Sequence, residues 1–132
     1  MEIEDILVKC HTIAVVGLSA DPSRPSYRVA HYLKEHGYRV IPVNPEYKEV
    51  LDEVCYPDLA SVPEPIDLVD IFRRSEHVQP IVDAAAAVGT KVVWMQEGVV
   101  NEEAANHARN AGMEVVMDRC IMKEHHLLGR WG

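Results

Sequence analysis

Cysteine is scarce in this chain: Cys10, Cys55 and Cys120 are the only three in 132 residues. An odd, sparse set does not build a disulfide framework, so the core must hold the fold. Positive charge is also short. Thirteen Lys and Arg face 21 Asp and Glu, a formal net charge of -8. Nonspecific nucleic-acid binding rests on basic patches, so this balance argues against a nucleic-acid partner. It leaves an anionic small ligand open, because a few local cations can hold phosphates on an acidic protein. Long hydrophobic runs are missing, and no stretch approaches the ~20 apolar residues of a membrane helix. The acidic start Met1-Glu2-Ile3-Glu4-Asp5 is unlike a secretion signal. A soluble, cytoplasmic protein with no membrane partner is the expectation.

Several motifs are lacking too. G-x-G-x-x-G, the dinucleotide fingerprint, keeps only its first glycine, at Gly17. C-x-x-C pairs and H-x-x-x-H helix patterns do not occur, and His125 and His126 are neighbours that point apart on a helix, so no metal is expected. The stretch Gly17-Leu18-Ser19-Ala20-Asp21 lacks the second glycine of a nucleophile elbow.

What is present is an alternation. Short Val- and Ile-rich runs at 13–16, 40–43, 68–72, 92–95 and 114–117 read as strands buried on both faces of a parallel sheet. Amphipathic segments separate them: Val29, Ala30 and Leu33; Val78, Ile81, Val82 and Ala85; Ala104, Ala105, Ala108 and Ala111. Helices are also expected near residues 2–9 and 123–128. Gly37, Gly89 and Gly112 each close a helical pattern shortly before a strand. Residues 44–65 carry four prolines and read as an irregular crossover, with a short strand at 53–56. Residues 1–132 therefore read as one α/β domain. The fold is three-layered and Rossmann-like, with a mostly parallel sheet of about five strands and helices on both faces.

Parallel strands joined by right-handed crossovers bring their C-terminal ends to one edge, where ligands of such sheets bind. Five segments meet there: 17–27, 44–48, 72–75, 96–99 and 118–120. The first is a phosphate-binding loop in plan, strand, glycine turn, then helix start. It offers hydroxyls from Ser19, Ser23 and Ser26 and a guanidinium from Arg24. NAD binders usually carry an acid at the end of the second strand, for the ribose hydroxyls. Here the chain reads Pro42-Val43-Asn44-Pro45, with Glu46 just beyond and Lys48 after it. An acid would repel a phosphorylated ribose, and coenzyme A carries a 3′-phosphate, so its absence suits that cofactor. Phe72, the single phenylalanine, and Arg73 end the third strand; Gln96 and Gly98 follow the fourth.

These segments together resemble the stand-alone CoA-binding protein family, which is related to the N-terminal CoA-binding domain of the succinyl-CoA synthetase alpha subunit. The matching phrases are Ala14-Val15-Val16-Gly17-Leu18-Ser19, Pro42-Val43-Asn44-Pro45, Cys55-Tyr56-Pro57, Asp70-Ile71-Phe72-Arg73-Arg74, Trp94-Met95-Gln96-Glu97-Gly98-Val99 and Asp118-Arg119-Cys120. The resemblance implies a Rossmann-like fold and coenzyme A as the small-molecule nucleotide cofactor. It implies that Gly17, Ser19, Arg24 and Ser26 face the pyrophosphate. Val43, Asn44 and Lys48 would face the adenosine and its phosphate, and Phe72, Arg73, Gln96 and Gly98 the rest of the groove. It does not imply synthetase chemistry.

Three functions follow for comparison: a non-catalytic CoA-binding carrier or sensor, an NAD(H)-responsive redox sensor, and a small enzyme acting on an acyl-CoA. Cys120 alone offers a nucleophile for the third. It lies after the fifth strand, where it is either a buried structural thiol or a thiol partner for CoA through a mixed disulfide. A homodimer is compatible with the sequence and not demanded by it.

Overall fold

A computed structural model describes residues 1–129. Five parallel strands form the sheet: β1 (Thr12–Val16), β2 (Arg39–Val43), β5 (Leu68–Ile71), β6 (Val92–Met95) and β7 (Glu114–Val116). They lie in the order β2-β1-β5-β6-β7. Two further strands, β3 (Glu49–Val50) and β4 (Glu53–Val54), pair antiparallel as a small hairpin in the crossover. Tyr56 then makes a single parallel bridge to Val43, so a rudimentary strand flanks β2 on its outer side.

The alternating side chains of each strand sort into two cores. Ile13 and Val15 of β1 join Leu68, Val92 and Trp94 on one face. That face is covered by α1 (Ile3–Lys9), α2 (Pro25–Glu35) and α5 (Ile121–Leu128), which deliver Ile6, Leu7, Val29, Ala30, Leu33 and Ile121. Ala14, Val16, Val69, Val93 and Met95 face the other way. There α3 (Val78–Ala87) and α4 (Glu102–Asn110) cover them with Val78, Val82, Ala85, Ala104, Ala105 and Ala108. Strands buried on both faces have no polar side to present, which is why they read as unbroken apolar runs. The three-layer, Rossmann-like architecture expected from the sequence is the one observed.

Differences are local. β1 and β2 each start one residue earlier than the apolar run, because the Arg39 N–H bonds the His11 carbonyl at 3.0 Å and carries the ladder back. β5 ends at Ile71 and β7 at Val116 rather than one residue later. The last helix begins at Ile121, two residues before its expected start, because the Gln96 side chain accepts from the Ile121 N–H at 3.1 Å. Ala111 lies past the end of α4 and is exposed.

The chain leaves β1 toward β2 and later returns on the other side of β1 as β5. Strand order reverses between β1 and β5, and a crevice opens above their C-terminal ends.

Candidate functional site

A groove of about 530 Å³ lies at that reversal. It is lined by nine of the residues singled out from sequence: Gly17, Ser19, Arg24, Ser26, Asn44, Phe72, Arg73, Gln96 and Gly98. Every segment of the β1, β2, β5 and β6 ends contributes.

Gly17 turns the chain out of β1 with φ +89°. Only glycine takes that conformation without strain. A side chain there would also collide with the Phe72 carbonyl, and a Cβ would stand 3.3 Å from Arg73 Nε. The Arg73 guanidinium therefore lies across the glycine turn. The loop that follows is braced by its own side chains. The Ser19 N–H donates to Ser26 Oγ at 3.0 Å, and the Asp21 N–H to Ser19 Oγ at 3.0 Å. Ser23 donates to Asp21 Oδ1 through both its amide and its hydroxyl, which holds the Asp21 carboxyl below the usual carboxylate range.

The loop feeds into α2, whose start, like that of α3, has neither a side-chain cap nor a first-turn acid. Helix α4 has Asn101 as a capping side chain and Glu102 and Glu103 in its first turn; α1 has Glu4 and Asp5. In α2 the flanking residue is Arg24, there is no side-chain cap, and no acid lies in the first turn. Its first-turn amides and its dipole are left for an outside anion. Arg24, Arg73 and Arg74 line the same groove, and among the described residues none of the three is in an ion pair. On a protein of net charge -8, three guanidinium groups outside any ion pair concentrate positive charge in this groove, with the Asp21 carboxylate in the field of Arg24 and Glu46 on the same lining.

Other lining groups have internal duties. Asn44 is buried; its Nδ2 donates to the Leu18 carbonyl at 3.1 Å and its Oδ1 accepts from the Glu46 N–H at 3.0 Å. It ties the glycine loop to the end of β2. The Gly98 N–H donates to Asp118 Oδ1 at 2.7 Å, so it is not open to a ligand. Gln96 keeps only its Nε2 as a donor, since its Oε1 holds the start of α5. Phe72 is half-buried, its ring packed on the core beneath α2 and α5.

Three sequence-derived positions lie off the groove wall. Val43 is buried on the α3 side of the sheet edge. Lys48 is exposed beyond the rim, and its carbonyl accepts from the Cys55 N–H at 2.8 Å. Cys120 packs in the core with Trp94, Val116 and Ile121 and is 7% exposed. Glu46, the acid just beyond the end of β2, also lines the groove, with Pro25, Tyr47, Arg74, Glu97 and Val99, which sequence reading did not single out. All fall within the edge segments, so the signal was topological. Glu97 is held by Lys123 at 2.8 Å.

Fold and groove define a doubly wound α/β protein with an arginine-lined crevice at its switch point. The comparisons sharpen that class. The family model described as "CoA binding domain" matches residues 11–126. The chain belongs to that family. It is similar to an uncharacterized protein of Bacillus subtilis, YneT, 40% identical over 124 residues, covering 94% of this chain and 92% of that protein. A solved structure of a hypothetical protein from Pyrococcus horikoshii is 43% identical with a TM-score of 0.93, covering 97% of this chain and 92% of that one. The alpha subunit of an ADP-forming acetate–CoA ligase II from Pyrococcus furiosus is 30% identical over 120 residues. That match takes in 83% of this chain but 26% of the ligase subunit.

Proposed function

We propose that this chain binds coenzyme A or an acyl-CoA in the groove above β1 and β5, as a cytoplasmic, non-catalytic carrier or sensor. The diphosphate lies beside Gly17 and Ser19, against the first turn of α2 and the guanidinium groups of Arg24 and Arg73. The Ser26 hydroxyl, already fixed by the Ser19 amide, adds a donor. The observation that carries this reading is the set of three arginines outside any ion pair that line the groove where strand order reverses, in a chain of the CoA binding domain family.

Glu46 favours a second reading. It lines the groove next to the end of β2, where a carboxylate can accept from the ribose hydroxyls of NAD(H). Calorimetry of the purified protein against CoA, dephospho-CoA and NAD separates the two. CoA is expected to bind best and dephospho-CoA less well. Tighter binding of NAD than of CoA would move the redox-sensor reading ahead.

A further inference from the structure

Helix α5 is tied at its N-terminal end to one wall of the groove, the loop 96–99. Gln96 Oε1 accepts from the Ile121 N–H at 3.1 Å, and Glu97 pairs with Lys123 at 2.8 Å. Just before the helix, Asp118 Oδ1 accepts from the Gly98 N–H at 2.7 Å, and Trp94 Nε1 donates to the Arg119 carbonyl at 2.8 Å. One turn further along, α5 carries His125, which is fully buried.

His125 sits among aromatic rings. Tyr32 and His36 of α2 stand 5.4 and 5.2 Å away between ring centroids, and Tyr38, just ahead of β2, stands 5.7 Å away; all three are edge-on. The Tyr32 hydroxyl is 2.7 Å from His125 Nδ1. His126 follows on α5 itself. Helix α1 also packs on α5, and its Leu7 carbonyl accepts from the Tyr38 hydroxyl. Of the titratable groups of α1 and its cap, Glu4, Asp5 and Lys9 are exposed and the Cys10 thiol is buried.

We propose that α5 is a proton-sensitive strap on the groove: protonation of His125 loosens α5, frees the loop 96–99 and weakens ligand binding as pH falls. The effect on binding rests on the nucleotide reading given above; the strap itself does not. The chemistry of the imidazole is the first argument. Neutral His125 accepts at Nδ1 from the Tyr32 hydroxyl when its proton is on Nε2. Imidazolium carries a proton on both nitrogens, so that acceptor is lost and Tyr32 must turn its own proton away. The new charge also needs hydration, which a fully buried ring lacks. Positive charge on His36 or His126 opposes it further, and with burial this keeps His125 neutral to a lower pH than an ordinary histidine. The helix is the second argument. It is only eight residues long, and a helix that short is held by packing more than by its own propensity. Local opening of such an element costs less than global unfolding. Connection is the third. The bond between Gln96 and the Ile121 amide belongs to loop and helix alike, so α5 cannot shift without disturbing a groove wall. Tyr32 carries the same displacement into α2, whose first-turn Pro25 and Ser26 line the opposite wall. Such coupling is reciprocal, so a ligand that needs the strap in place lowers the proton affinity of His125 by the factor that the proton lowers its own.

Amide hydrogen exchange of the unliganded protein tests the strap, with rates corrected for their intrinsic pH dependence and compared at pH 7.5 and 5.5. Residues 121–125 and 96–99 are expected to lose protection together, by at least about tenfold, while β1 and β6 keep theirs. In His125→Phe, which keeps a planar ring without a titratable nitrogen, both segments are expected to stay protected. Calorimetry tests the consequence. Over the same pH step CoA affinity is expected to fall at least about threefold more in the parent than in His125→Phe. The 3′-phosphate of CoA also titrates at a pH of ~6, but equally for both proteins. NMR titration of His125 in the unaltered protein serves if the variant fails to fold. Saturating CoA is expected to lower its midpoint by about half a pH unit or more, which is the same threefold coupling. Loss of protection in 121–125 without 96–99, equal pH steps in the two proteins, or a His125 midpoint that CoA leaves in place would overturn the proposal. If CoA gives no heat at either pH, the cofactor reading falls, and the exchange result alone decides the strap.

Discussion

Single residues decide how the groove is built. Arg24 offers a charge-assisted contact, and such a hydrogen bond contributes about 1.5–3 kcal/mol. Arg24→Ala is therefore expected to weaken CoA roughly 10- to 150-fold in calorimetry, with little change in melting temperature because the side chain is exposed and outside any ion pair. An unchanged affinity would remove Arg24 from the site. Gly17→Ala should act on folding instead. It meets both a positive φ and the Phe72 carbonyl, and a cost above about 2 kcal/mol in urea unfolding is expected. Asp70 poses a different problem. Its carboxyl is fully buried on β5, has no hydrogen-bond partner among the described residues, and burial raises its pKa well above the ordinary value. The folded state therefore holds a proton that the unfolded chain releases above its ordinary pKa, so this group's contribution to stability falls as pH rises from about 4 toward the folded pKa. Asp70→Val should stabilise the protein by about 1–3 kcal/mol at pH 7, and the gain should shrink as the pH is lowered toward 4. A variant less stable than the parent at pH 7 would show that the acid has a partner in solution.

At the scale of elements, the strands were the most legible feature. Their side chains are buried on both faces, so composition alone marks them, and β6 (Val92–Met95) coincides with its apolar run. The hairpin β3–β4 was half hidden. Leu51 and Asp52 both take positive φ, +55° and +61°, in its two-residue turn, where Asn-Gly or Asp-Gly is the usual signal. The groove-bearing edge could be read as segments because the parallel topology dictates it. The contacts within it could not, because they depend on non-local bonds: Asp118 takes the Gly98 amide across 20 residues, and Leu18 takes the Asn44 amide across 26. Helix α5 illustrates the same limit. In sequence His125 is only one of two neighbours that point apart on a helix, yet it is fully buried against the rings of Tyr32, His36 and Tyr38, and its Nδ1 lies 2.7 Å from the Tyr32 hydroxyl. Burial, with the charges of His36 and His126, lowers its pKa. The unfolded chain then binds a proton at His125 before the folded one does, so stability is lost as pH falls below about 6.5. Chemical denaturation between pH 7.5 and 5.0 should show a steeper acid-side loss for the parent than for His125→Phe. Parallel curves would mean that α5 accommodates the imidazolium.

For the whole molecule, the ligand must act against an unfavourable overall field. A chain of net charge -8 repels an anionic cofactor at long range, while the three arginines attract it at short range. Salt screens both, but over a Debye length of ~8–10 Å at physiological strength the distant acids are damped more than the contacts in the groove. CoA affinity is thus expected to change little between low and physiological salt and to fall only at higher salt, where the groove contacts themselves are screened. Binding to the folded state alone must also raise its stability. At a hundredfold excess over Kd the linkage gives ~2.7 kcal/mol, and for a domain of this size each kcal/mol moves the melting temperature by roughly 3–5 °C. A rise of about 8–13 °C with CoA is therefore expected in a thermal melt. It should be smaller in Arg24→Ala at the same CoA concentration, because the occupied fraction drops there while the intrinsic stability does not. No shift with CoA at saturating concentration would mean that the cationic groove is a surface feature without this ligand, whatever the family to which the chain belongs.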